Sequence, residues 1–355
     1  MKFLGQARGF RKKSQHRSST ILRLVAWLCG LAFLGAAGFG LWLWSYAVSP
    51  MPMREGGNLQ VLIPPQTSLA GIEKILAENG VIPPGRGFYY LARVSRLSQR
   101  LQAGEYLFTP GQTPYQILRA LAAGSTVRWS VTIPEGASIY QLADILAAGG
   151  WGERELFLEL VRDPEILARY GVRATSLEGY LFPDTYQLVR GQNPREIIGL
   201  MVDRGNQVRQ ELGDLSDNPL GLSPHEVLTL ASIVEKETAA PEERPLIAQV
   251  FLNRLRQRMR LQTDPTVIYG LADFNGNLTR KDLKTPTPYN TYLINGLPPG
   301  PIANPGRAAI AAVLHPASES YLYFVSKNDG THYFSRDLAE HNRAVFKYQK
   351  SGSTR

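Results

Sequence analysis

SPHEVLTLASIVEKET, residues 223–238, opens like a helix and closes on two carboxylates. Ser223 offers a hydroxyl to free backbone N–H groups, Pro224 suits the first turn, and Glu226 completes a capping box. Each following residue turns by about 100°, so Val227, Leu230, Ala231, Ile233 and Val234 share one apolar face. Glu237 lies one turn beyond Ile233 and Val234, at the margin of that face. Glu235 points about 160° away, beside the polar Ser232 direction, and is expected to be exposed or to support the site from behind. A carboxyl group on a partly buried apolar face loses hydration of its charged form, so its pKa rises. That is the state a general acid needs near neutral pH. Taken alone, a salt bridge at the helix end accounts for Glu237 at least as well, so the choice rests on its surroundings.

The next segment, Glu243 to Arg260, carries an apolar stripe (Leu246, Val250, Leu252, Leu255) and reads as a helix packed antiparallel to the first. Beyond it come LQTDPTVIYG (261–270), TPYNTY (287–292) and GLPPGPIANPG (296–306); upstream lies LEGYLFPDTY (177–186). These read as stiff loops carrying amides, hydroxyls and aromatic faces, which suit the hydroxyl edges and flat C–H faces of sugars. Other chemistries lack their signatures. His225-Glu226 opens like H-E-x-x-H, but position 229 is Thr, so no zinc site is expected. Neither a phosphate-binding G-x-x-x-x-G-K-[ST] nor a serine-hydrolase G-x-S-x-G occurs. NRLRQRMR (253–260) reads first as the solvated face of a helix. His332 follows the turn NDGTH and sits at the edge of the site or is a satisfied structural histidine; YLYFV beside it reads as a core strand. His315 and His341 carry no signal.

The net charge of +9 suggests nucleic acid until its distribution is read. Lys2, Arg8, Arg11, Lys12, Lys13, Arg17 and Arg23 precede the first acidic residue, Glu55, and without those seven the 39 basic residues become 32 against 30 acidic. No nucleic-acid partner is expected. The tail leads into LVAWLCGLAFLGAAGFGLWLWSYAV (24–48), which has no charged residue and is long enough to span about 30 Å of hydrocarbon. Trp42, Trp44 and Tyr46 suit the interface, and the basic tail keeps the N-terminus in the cytoplasm. A cleaved signal peptide is the rival reading, but its apolar region is shorter, about 7–15 residues. The only cysteine, Cys29, lies in this segment, so the body has no disulfide. Ala32, Ala36 and Gly40 have a small-xxx-small spacing that equally suits lipid contact.

VLIPPQTSLAGIEKILAENG (61–80) aligns without gaps to VTIPEGASIYQLADILAAGG (131–150), and FTPGQTPYQILRALAAGS (108–125) is a looser copy. Each reads as a strand, a turn, a Ser or Thr helix start and an apolar helix face. Such units must pack together, strands paired, to bury that face. The pattern is similar to LysM modules, which hold glycan strands; a plain spacer domain explains it equally well. The expected organisation is α+β: a basic tail (1–23), one transmembrane helix (24–48), a linker (49–58), a LysM-like βα-repeat region (59–150) and a mixed α/β catalytic domain (151–350).

LASIVEKET, LQTDPTVIYG, EGYLFPDTY, TPYNTY and GLPPGPIANPG together resemble the endolytic murein transglycosylases, the YceG-like family. The resemblance runs from the anchor to the C-terminus. It implies an enzyme of the bacterial inner membrane, facing the periplasm, that cuts the MurNAc–GlcNAc β-1,4 bond inside nascent peptidoglycan strands without water. The cut would leave 1,6-anhydro-MurNAc ends and terminate glycan chains, without a cofactor or metal and beside a peptidoglycan synthase. The family's catalytic glutamate falls on Glu237, which the helix-face argument also selects. Gln262, Tyr289, Asn290 and Thr291 are then candidates to hold the sugar, with Glu235, Glu178, Tyr180, Asp184 and Asp264 supporting it; Asp184 and Asp264, each beside a proline, equally suit turns. The basic cluster gains a second reading, contact with acidic stem peptides. A non-catalytic glycan-binding scaffold, or a hydrolase using Glu235 or Asp264 as a second carboxylate, remains an alternative.

Overall fold

The structure, a computed structural model, describes residues 12–51, 57–238 and 240–350, with side chains from residue 22 onward. Lys2, Arg8 and Arg11 of the basic tail, and positions 52–56 of the linker, lie outside the described residues. The chain forms two compact units, Met1–Val127 with Val189–Gly191, and Arg128–Leu188 with Gln192–Arg355.

The first unit begins with α1 (Lys12–Val48). It starts earlier than the apolar run, because no glycine or proline interrupts the good helix formers ahead of it. Leu22–Val48, 27 residues of mean hydropathy 2.0, is long and apolar enough to cross a membrane. After it, β1 (Leu59–Ile63) pairs antiparallel with β2 (Gly104–Phe108), Val61 opposite Tyr106. Three helices complete the unit: α2 (Leu69–Glu78), α3 (Gly87–Val94) and α4 (Pro114–Ala123). The starts of α2 and α4 are at the expected Ser and Thr: Ser68 accepts from the Gly71 N–H, and Thr113 forms a capping box with Gln116. Alternate strand residues Val61, Ile63, Tyr106 and Phe108 face Ile72, Leu76, Phe88, Leu91, Ile117 and Leu121 in one core.

The second unit contains the remaining copy of the repeat. Its local form is as expected, β3 (Arg128–Thr132) and α5 (Ile139–Ala148), with a capping box between Ser138 and Gln141. Its strand, however, pairs with β4 (Thr185–Val189) and not with the other copies. The two compact units accordingly meet along the chain at Val127/Arg128. The cause is what α5 packs on: Ile139, Leu142 and Leu146 share a core with Phe157 and Leu160 of α6 (Arg154–Leu160). That core also takes in α7 (Pro164–Arg169) and Ile197, Ile198 and Met201 of α8 (Pro194–Leu212).

A second core is built on α9 (Pro224–Glu237), α10 (Arg244–Arg256) and α12 (Arg307–Leu314). The Ser223–Glu226 capping box forms as read from the sequence. Two expectations change. α9 is buried on every side from Val227 to Val234, including Thr229 and Ser232, because the Ser232 hydroxyl accepts the Ile302 N–H at 3.0 Å. α10 stops at Arg256, and Arg258 takes a left-handed conformation (φ 57°). Asp264–Gly270, expected as loop, is a short helix, α11, with Pro265 in its first turn. The chain ends in a hairpin, β5 (Tyr323–Ser326) and β6 (His332–Ser335), and a helix, α13 (Leu338–Val345).

Candidate active site

Glu237 is the last residue of α9, and its Oε1 accepts a hydrogen bond from the Thr263 hydroxyl. Burial pushes its carboxyl up from 4.5 to about 6, against the Thr263 hydrogen bond. Asp264 adds to the rise, while His332 and Arg254 oppose it. The carboxyl lines a cavity of about 480 Å³ with Arg254, Gln262, Asp264, Tyr292 and His332. It also borders a second hollow of about 380 Å³, formed with Glu135, Gly136, Lys236 and Arg244. Glu237 thus stands on the ridge between two openings. A larger cavity, about 730 Å³ beside His225, Pro298 and Pro299, does not include it.

The wall of the site is fixed from behind. The Thr263 N–H donates to Thr291 Oγ1 at 3.1 Å, and Thr291 Oγ1 also lies 2.8 Å from Thr266 Oγ1. The Asn290 amide donates to the Leu283 and Thr285 carbonyls, and its Oδ1 accepts the Tyr292 N–H. Asn290 and Thr291 are therefore fully buried, Thr291 fastening the 262–263 shelf and Asn290 the 283–292 segment, and do not face the cavity as the sequence suggested. Gln262 and Asp264 are exposed into the cavity, Gln262 at φ 50° and Asp264 accepting from the Tyr292 hydroxyl at 2.7 Å.

Two parts of the site escaped the sequence reading. Arg254, placed there on a solvated face, is buried. Its Nε donates to Leu322 O at 2.7 Å, its Nη1 to Leu261 O at 2.8 Å, and its guanidinium lies 5.1 Å from the Tyr323 ring centre. His332 is both a cavity-wall residue and an anchored one. Its Nδ1 is 2.6 Å from Glu243 Oε2, and its backbone N–H donates to Glu243 Oε1 at 2.7 Å. The signal for Arg254 was its position on α10, three residues after Phe251 on the inward side; for Glu243 there was none.

Glu235 is not exposed. Arg244 Nη2 lies 2.9 Å from its Oε1, and the Gly306 N–H donates to its Oε2 at 2.9 Å. The Ser232 side of α9 that was to face water faces the 302–306 segment instead. Glu135, 3.9 Å from Arg244, completes the cluster; burial and Glu235 raise its pKa, while Arg244 lowers it. The remaining candidates do not line Glu237's two hollows. Glu178 is buried and accepts from the Ile139 N–H, the Tyr269 hydroxyl and the Asn304 amide. Desolvation outweighs those bonds and pushes its carboxyl up to about 7. Asn304 also accepts the Gly179 and Leu181 N–H groups and donates to Ala137 O, so it ties the EGYLFPDTY and PIANPG segments to the start of α5. Gly179 has φ 84°, and a Cβ there would meet the Pro301 ring. Tyr180 hydrogen-bonds His225 at 2.8 Å, Asp184 is held below its ordinary range by Arg204, and Tyr289 packs on Tyr269.

Residues 61–347 match the YceG-like family. The chain belongs to that family. A Bacillus subtilis relative named endolytic murein transglycosylase is 34% identical over 321 residues, covering 86% of this chain and 88% of that protein. A Streptococcus pneumoniae protein of the same name is 29% identical over 361 residues, 92% of this chain and 65% of its own length. Among solved structures, a YceG-like protein from Listeria monocytogenes superposes with a TM-score of 0.56 at 35% identity, over 81% of this chain and 99% of that one. The YceG-like fold thus accounts for the mixed α/β body around the Glu237 site.

Proposed function

We propose that this YceG-like protein is an endolytic lytic transglycosylase in which Glu237 is the one acid and base. The observation that carries this reading is the pairing of a desolvated carboxyl, raised to about 6, with openings on both sides of it. A cutter of internal bonds needs room for the strand on either side of the scissile bond. Protonated Glu237 donates to the oxygen of the MurNAc–GlcNAc β-1,4 bond, and that bond breaks to leave an oxocarbenium-like MurNAc C1. The carboxylate then takes the proton of the MurNAc C6 hydroxyl as its oxygen closes onto C1, giving the 1,6-anhydro end and restoring the acid. No water is consumed.

Glu235, held by Arg244 and Gly306, shapes the helix end and stays out of the reaction. Gln262 and Asp264, exposed in the cavity, are positioned to contact sugar; Tyr292 orients Asp264. The α1 helix anchors the enzyme in the bacterial inner membrane with its basic tail inside and everything after α1 on the periplasmic side. There it cuts new strands beside the synthase that makes them. The LysM-like first unit guides those strands. Asp264 shares the cavity with Glu237, which keeps hydrolysis through a second carboxylate as the reading to test against. Full-length protein is incubated with uncrosslinked peptidoglycan strands and the products are weighed. Anhydro ends, one water lighter than reducing ends, that disappear with Glu237→Gln support the proposal. Reducing ends lost with Asp264→Asn make it a hydrolase.

A further inference from the structure

The membrane-spanning candidate is longer than a membrane needs. Its 27 residues extend roughly 40 Å, against about 30 Å of hydrocarbon. The first unit takes up the excess. Leu43 and Met51 are buried in its core, and the Phe39 and Tyr90 rings meet edge to face at 5.6 Å. One side of the last turns of α1 is therefore against protein while Trp42 and Trp44 stay exposed, and with that aromatic pair at the interface the span that remains, Leu22 to about Leu41, matches the hydrocarbon thickness. This sets α3, with Tyr90 against Phe39, at the level where the hydrocarbon gives way to headgroups.

The outward face of α3 has the composition of that layer. Phe88, Leu91 and Ala92 point into the core, while Arg86, Tyr90, Arg93 and Val94 share the exposed side. Val94 is 64% exposed and Tyr90 42%, so two large apolar side chains share this side. Arg86 and Arg93 flank the Tyr89 ring at 5.3 and 5.4 Å, and Arg96 and Arg100 follow, both exposed. The helix has no acidic residue, and Glu73 of α2 is turned inward to accept the Tyr89 N–H at 2.8 Å. Amphipathic helices with aromatic and apolar residues beside arginines lie in the membrane interface and bind anionic headgroups.

We infer that α3 is a second membrane contact, lying in the interface beside α1 with Tyr90 and Val94 among the lipids and Arg86, Arg93 and Arg96 on lipid phosphates. This rests on the reading that α1 spans the membrane. It holds the first unit flush with the bilayer instead of on a free tether. The test uses full-length protein with Cys29→Ser, in vesicles containing phosphatidylglycerol and a lipid carrying a quencher near its headgroup. Fluorophores are placed one at a time through Leu31→Cys in the span, Val94→Cys, and Glu165→Cys on the exposed side of α7 as an aqueous reference. Quenching at Val94 several-fold above the Glu165 reference, lowered by Arg86→Glu with Arg93→Glu in anionic but not in neutral vesicles, supports the contact. A span label that takes up a membrane environment with Val94 at the reference level overturns the inference and leaves the anchor standing. A span label with an aqueous spectrum sinks the anchor itself. A shielded but unquenched Val94 label gives that face to a protein and also overturns the lipid contact.

Discussion

Glu235 and Glu237 stand two residues apart on the same helix, yet they are given opposite chemistry. Glu235 is clamped between a guanidinium at 2.9 Å and a backbone N–H at 2.9 Å. Glu237 has a desolvated setting and an adjacent aspartate, which favour the proton and outweigh the one hydroxyl, of Thr263, that favours the anion. The difference comes from the helix running out. A turn of α9 with neighbours on all sides places position 235 against the 302–306 segment and position 237 at the rim of the cavities. A carboxylate's task is thus set by what closes around it, and helix position alone does not reveal that.

The largest effect that separates the pair is catalytic. Glu237→Gln keeps the shape and removes the exchangeable proton, so anhydro-end formation falls by about 10³-fold or more, measured by product mass from strands of known length. Glu235→Gln acts on stability instead. It leaves Arg244 with only Glu135 at 3.9 Å, and breaking a mostly buried pair costs roughly 2–4 kcal/mol. Denaturant unfolding should show that loss, while turnover per folded molecule stays within about tenfold of wild type. If Glu235→Gln instead abolishes turnover at full stability, the two roles are reversed.

How much of this contrast the sequence discloses depends on the range of each interaction. Local rules gave the capping box at Ser223, the Ser or Thr helix starts of the three strand-turn-helix copies, and Glu237 on its face, because each depends on residues within a turn or two. Partners distant in sequence were not legible. Arg244 and Gly306 reach Glu235 from two separate segments, so a residue expected near solvent is clamped. β3 reads like β1, yet what pairs with it is decided by β4 more than fifty residues later. Asn290 and Thr291 read as sugar donors because an amide and a hydroxyl look alike whether they face water or a carbonyl; only the fold shows them turned to Leu283, Thr285 and Thr263.

A third carboxyl extends the contrast to folding. Glu178 is raised to about 7 by burial and lies outside both hollows beside Glu237. Its folded pKa lies above the unfolded value near 4.5, so between those values the native state holds a proton that the unfolded chain has released. The stabilisation is full below about 4.5 and is lost as pH rises through about 7. Unfolding followed from pH 5 to pH 8 should show stability declining, and Glu178→Gln should flatten that decline without moving the pH profile of cleavage. A mutant whose cleavage profile shifts would place Glu178 in the reaction.

The smallest effect is the sharpest test of how Glu237 is tuned. Thr263 donates to its carboxylate and favours the charged form, whereas Asp264, the next residue, disfavours it. Cleavage that needs the protonated acid declines as pH rises through about 6. Thr263→Val removes a bond made to the anion, so that decline should move to higher pH. Asp264→Asn removes a like charge, so it should move to lower pH. Its loss of rate should be smaller, because the amide oxygen that replaces the carboxylate can still accept from the Tyr292 hydroxyl. Neighbouring changes that move one titration in opposite directions cannot both come from general damage to the fold. If both move it the same way, or neither does, the group titrating in the rate profile is not Glu237.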